Sequence, residues 1–120
     1  MIDFQCKTIS NTIVVVEIQG TLDSMSRKYF FDYVGELFAG DVKHVLIDCS
    51  GLGFLSSSGM SALLTSRKRA QRAGGKIYLT HLNATIAAAL EYTKLSTLLA
   101  IYPTTRNLVD QLCSVEAIGC

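Results

Sequence analysis

The residues best suited to do chemistry are the adjacent hydroxyls of Ser56, Ser57 and Ser58 in the stretch Leu55-Ser56-Ser57-Ser58-Gly59-Met60. Serines ahead of an amphipathic helix offer two chemistries. One can cap the helix by accepting a bond from its orphan amides, and one can accept a phosphoryl group. A phosphate there would lie at the positive end of the helix dipole, among outward-facing N–H groups, so the helix tolerates it. Spacing alone leaves both readings open.

Other chemistries fail on detail. The nucleophile elbow G-x-S-x-G is absent, because Ser56 stands where its first glycine should precede Ser58. Gly51-Leu52-Gly53 follows a predicted strand, but the third glycine of a dinucleotide fingerprint would fall on Ser56 and the helix begins too late. His44 and His81 sit singly at strand edges, where a histidine is usually a satisfied or surface residue. Cys6, Cys49, Cys113 and Cys120 lie far apart with no C-x-x-C pair, which gives neither zinc nor redox spacing and reads as reduced structural thiols. Asn83-Ala84-Thr85 fits a glycosylation sequon, but helix capping explains it better without a secretory signal. No catalytic residue, metal or cofactor is expected, and the chain is read as a non-enzyme.

The serines are positioned by elements that the pattern of residue types predicts. Phe4–Thr8 and Thr12–Ile18 are β-branched and apolar, with Ser10-Asn11 as the turn, and form two antiparallel strands. After Gly20-Thr21-Leu22-Asp23-Ser24, the residues Met25, Tyr29, Tyr33, Val34, Leu37 and Phe38 recur at helical spacing, with Asp23 or Ser24 as the N-cap and Gly40-Asp41 as the end. Val45-Leu46-Ile47 reads as a short central strand, followed by a loop from Asp48 to Ser57. A helix from about Ser58 to Ala73 carries Met60, Leu63 and Leu64 on one side and closes at Gly74-Gly75. Lys76–Thr80 is a strand, Asn83 caps a helix through Tyr92, Leu98–Tyr102 is a strand, and Thr104 opens a helix through about Cys113. The order β-β-α-β-α-β-α-β-α implies an α/β fold with a single mixed sheet, its first strand antiparallel at or near an edge.

Composition bounds the class. With 120 residues, 49% hydrophobic and 18% charged, the chain can bury a core as one domain, residues 1–120, without staples. It holds no apolar run of about 18 residues, so no membrane insertion is expected. The start Met1-Ile2-Asp3-Phe4-Gln5-Cys6-Lys7 lacks signal-peptide features, so a cytoplasmic location is expected. The net charge is only +1, and the cations Arg67, Lys68, Arg69, Arg72 and Lys76 gather late in one predicted helix, where they suit its dipole. No aromatic residues accompany them, so no nucleic-acid partner is expected.

Three segments carry a family resemblance: Gly20-Thr21-Leu22-Asp23, Val45-Leu46-Ile47-Asp48, and Phe54-Leu55-Ser56-Ser57-Ser58-Gly59-Met60, with Gly74-Gly75 before the next strand. Together with the order of elements they resemble the STAS domain, specifically the single-domain bacterial anti-sigma-factor antagonists, over nearly the whole chain. The resemblance implies the STAS fold and a protein-binding module. In that family the serine before the glycine of an aspartate-serine-serine-glycine run is phosphorylated by a partner that is both anti-sigma factor and serine kinase. The matching position is Ser58. The unphosphorylated form binds the anti-sigma factor and frees the sigma factor, and a serine phosphatase resets the switch.

Asp23, Ser56, Ser57, Ser58 and Gly59 are therefore expected on the partner-facing surface, Gly59 letting a partner backbone approach. Ser56 stands where the family typically has aspartate, so Ser56 or Ser57 is a secondary candidate for modification. The same departure supports an alternative, a constitutive STAS scaffold in a lipid-transport or sensory complex without phosphorylation.

Overall fold

The computed structural model describes residues 2–116, with side-chain surroundings through Ser114. Five strands and four helices follow one another: β1 Ile2–Thr8, β2 Ile13–Leu22, α1 Arg27–Leu37, β3 His44–Leu55, α2 Ser57–Arg72, β4 Lys76–Thr80, α3 Ala84–Tyr92, β5 Ala100–Tyr102 and α4 Thr105–Glu116. The strands lie side by side in chain order, β1-β2-β3-β4-β5. β1 runs antiparallel to β2 and every other pairing is parallel. This is the mixed sheet with an antiparallel edge strand that the element order implied.

Strand order dictates where the helices go. A parallel sheet that grows in one direction through crossovers of one hand places all its crossover helices on the same face. α1, α2 and α3 accordingly bury Phe30, Val34, Leu63, Ala70, Ile86 and Leu90 against Val16, Ile18, Val45, Ile47 and Leu79. α4, the last described element, lies over the opposite face, where Leu108 meets Ile13, Val15, Leu46 and Tyr78. Alternation of side chains along β2 and β3 feeds both cores at once. The sheet centre is thus dry on both sides, consistent with the continuous apolar run Val45-Leu46-Ile47.

Several boundaries differ from the sequence expectation. β3 does not stop at Ile47: it stays paired with β2 through Asp48–Glu17, Gly51–Gln19, Leu52–Gly20, Phe54–Thr21 and Leu55–Leu22. Two register shifts absorb extra residues in β3, and Gly20 at φ +111° supplies the backbone conformation beside them. Gly51, paired with Gln19, and Gly53, the residue skipped at the second shift, look like loop punctuation but lie inside a strand.

α1 begins at Arg27, with Ser26 at its N-cap rather than Asp23 or Ser24, and Met25 is not on its buried face but 88% exposed in the preceding turn. Phe30 takes the core position, fully buried. The stretch from Leu98 contributes only Ala100–Tyr102 as strand, since Leu95–Thr97 makes a short 3₁₀ turn. β4 spans Lys76–Thr80 as expected, so Lys76 stands apart from the cations Arg67, Lys68, Arg69 and Arg72 of α2 with which the sequence groups it.

The thiols also need a correction. Cys6 and Cys49 are free, whereas Cys113 is disulfide-bonded, so the expectation of reduced thiols throughout does not hold. Cys120 lies outside the described residues.

Candidate functional site

The site is built where β2 and β3 end together. Leu22 pairs with Leu55 as the last rung, so Asp23 and Ser56 leave the sheet as neighbours, one leading to α1 and the other directly into α2. The Ser56 amide donates to the Leu22 carbonyl at 3.0 Å, which extends the rung one residue beyond the strands. Carboxyl ends of adjacent parallel strands are the usual place for binding residues in α/β sheets, because the loops there are free to diverge.

Each serine of the run has a different task. Ser56 is the N-cap of α2, extended at φ −85° and ψ 174°, and its Oγ accepts from the Gly59 amide at 3.1 Å. That bond satisfies an orphan donor and fixes where the helix starts. Of the two readings left open in the sequence, the capping one is met by Ser56. Ser57 is exposed and Ser58 half-buried, and both fall in the first turn, whose leading amides point outward. No acidic residue lies in that turn, so no carboxylate of α2 offsets the positive helix end.

Gly59 is buried, not surface-facing, and the close approach it permits is internal. A Cβ at this position would stand 2.2 Å from the Leu22 carbonyl oxygen and 2.8 Å from a Leu55 methyl. Only a glycine lets the first turn of α2 press against the end of the sheet. Met60, next along, is half-buried against the main core as expected.

Asp23 organises the opposite bank. Its Oδ1 accepts from the amides of Met25 at 2.9 Å and Ser26 at 3.1 Å, and its carbonyl accepts from the Arg27 amide. Ser26 Oγ donates to the Thr21 carbonyl at 2.8 Å, closing the turn. Desolvation raises the Asp23 carboxyl, but the two amides and the Ser26 hydroxyl outweigh it and hold the carboxyl below its ordinary value. Asp23 thus stays charged and half-buried beside the serines.

Two apolar residues at this end of the molecule are exposed, which the sequence did not suggest. Phe54 is 56% exposed on the penultimate rung, paired with Thr21, and Met25 projects from the β2–α1 turn. For Phe54 the bulged register is the cause, and strict alternation along β3 does not reveal it.

The groups set aside as non-catalytic are engaged structurally. His44 Nδ1 lies 2.8 Å from the Tyr78 hydroxyl, and His81 Nε2 accepts from the Thr105 amide at the start of α4. Burial, with Asp48 beside it, pushes the Cys49 thiol up to about 12, which leaves it un-ionised. Asn83 Oδ1 accepts from the Ile86 amide at 2.8 Å, the capping role expected of it. Among the described residues no group of three metal-ligating side chains occurs, and no helix is long and apolar enough to cross a membrane.

The family model for the STAS domain matches residues 5–108. This chain belongs to the STAS domain family. Solved structures agree on the fold. The anti-sigma factor antagonist SpoIIAA in its unphosphorylated form superposes with a TM-score of 0.77 at 20% identity, over 98% of this chain and 100% of that one. An anti-sigma factor antagonist from Mycobacterium paratuberculosis gives 0.80 at 19% identity, over 92% and 93% of the two chains. SLC26A9 matches at 0.74 and 16% identity over 88% of this chain but only 20% of its own, so the STAS fold also occurs inside a much longer protein. Comparison with curated proteins finds no match.

Proposed function

We propose that this STAS domain is an anti-sigma-factor antagonist whose binding is controlled by phosphorylation of Ser58. In its unphosphorylated form it binds an anti-sigma factor that is also a serine kinase, and so releases a sigma factor in the cytoplasm. A serine phosphatase restores the binding form. The domain is then a kinase substrate and a ligand, not a catalyst.

One observation carries the reading. Ser58, half-buried, stands in the first turn of α2 just past the paired strand ends that lead to Asp23 and Ser56, while the neighbouring Ser56 supplies the cap. The acceptor is thereby free of the structural duty that a lone capping serine could not give up. Phosphorylation adds about −1.5 to −2 charges and three acceptor oxygens to this small patch. A partner packed on Met25 and Phe54 would have to desolvate that charge, and a loss of about 1.4 kcal/mol already means tenfold in affinity.

The test uses the purified partner kinase. Ser58→Ala is expected to abolish phosphate incorporation, and Ser58→Asp to fold normally while binding at least tenfold more weakly. Unchanged affinity in both variants removes Ser58 from the mechanism.

A second reading, a constitutive STAS scaffold in a lipid-transport or sensory complex, is favoured by Ser56 in place of the family aspartate and by the likeness to a domain within SLC26A9. It predicts that partner affinity ignores every change at position 58.

A further inference from the structure

α1 and α2 lie against each other, and between them runs a groove of about 250 Å³ lined by Arg27, Lys28 and Phe31 from α1 and by Ser61, Ala62 and Thr65 from α2. Ser58 precedes the three α2 residues by three, four and seven positions, the spacing of one helical face. At about 100° per residue, Ser58 projects within roughly 15° of the middle of that face, whereas Ser57 lies about 90° away. The hydroxyl of Ser58 therefore heads the groove, one turn above its α2 wall.

The cations on the facing wall are not equivalent. Lys28 is paired with Asp32 at 2.7 Å, one helical turn along α1. Arg27 is exposed and has no carboxylate partner among the described residues. Of the nearby acids, Asp23 is held by the amides of Met25 and Ser26, and none lies in the first turn of α2, where Ser56 occupies the position next to the serines. Phe31 is covered by the guanidinium of Arg69 at 4.7 Å from its ring centroid, which adds a second cation farther down. Among the described residues no acid lines the groove itself, and Asp23, charged beside the serines, is turned to the amides of its own turn, which leaves Arg27 as the unpaired cation at the groove's head.

From this we propose that Arg27 is the built-in counter-charge of the phosphorylated state: a phosphate on Ser58 is drawn into the α1–α2 groove and bound by the Arg27 guanidinium. Arginine suits the task because its planar fork can give two parallel hydrogen bonds to phosphate oxygens. The inference rests on Ser58 as the acceptor and adds how the modified form is held. Phosphorylation then both charges the patch and fills the groove, closing it to a partner side chain. A phosphate on Ser57 would point away from this cation.

The experiment installs phosphoserine at position 58 during synthesis, so its outcome does not depend on any kinase, and follows the phosphate by ³¹P NMR across pH. The second ionisation of an unperturbed phosphoserine lies near about 6. Wild type is expected to titrate lower, and Arg27→Gln to move the midpoint up by roughly half a unit, the scale of one solvent-exposed ion pair. Arg27→Lys should keep part of the shift, and Arg106→Gln, on α4 across the sheet, should leave it unchanged. The Arg27 effect should vanish in about 1 M salt, where the screening length is roughly 3 Å. Identical midpoints in wild type and Arg27→Gln overturn the proposal, as does an equal effect from Arg106→Gln.

Discussion

At the scale of single residues, the site depends on groups whose duties are separable. Gly59 lets α2 touch the sheet, and its replacement sets two effects against each other. Alanine gains about 1 kcal/mol over glycine inside a helix, but its Cβ would meet the Leu22 carbonyl oxygen at 2.2 Å, and backbone atoms on a paired strand cannot step aside. The clash wins, and Gly59→Ala should lose about 1–3 kcal/mol in urea denaturation. Asp23 gives a pH signature. Its folded carboxyl titrates below its ordinary value, so its contribution is complete above about pH 4 and is lost as pH falls through the folded value. The stability gap between wild type and Asp23→Asn should be flat near neutrality and close in acid. A gap that widens in acid would contradict the hydrogen bonding described for Asp23.

At the scale of elements, the cap at Ser56 links sequence to site. Ser56→Ala removes the bond to the Gly59 amide and should cost about 1 kcal/mol. Ser56→Asp keeps an N-cap acceptor and should leave stability within about 0.5 kcal/mol, as aspartate and serine cap similarly well. A changed phosphorylation rate in the aspartate variant would then report charge beside the acceptor rather than a shifted helix. The same segment marks the limit of what sequence reveals. The serine run, the helix behind it and the Asn83 cap were legible because capping and periodicity are local properties. The extension of β3 to Leu55 was not, because Gly51 and Gly53 have low strand propensity and lie in a strand only because the residues around Gly53, from Gly51 to Leu55, pair with β2. Met25 misled for the converse reason. It falls on a helical spacing with Tyr29 and Tyr33, yet the Asp23 turn delays α1 until Arg27 and leaves Phe30 to fill the core.

At the scale of the whole molecule, one topological fact organises the protein. Sequential strand order sends α1, α2 and α3 to one face, and this sets the α1–α2 groove beside the shared ends of β2 and β3. The order β-β-α-β-α-β-α-β-α implied the mixed α/β sheet with its antiparallel first strand, but the sequential strand order that puts these helices on one face came from the structure. The family resemblance singled out Ser58 in the sequence; what sequence could not convey is that Ser56 makes the cap bond and that the three serines differ in exposure. Whether Ser58 is the phosphoacceptor is decided by recovering the protein from the cells that make it and locating phosphate by mass spectrometry of the peptide spanning Leu55–Met60. Phosphate is expected on Ser58 and absent from a Ser58→Ala strain. Phosphate confined to Ser56 or Ser57, or none under any condition that alters partner binding, would contradict that assignment.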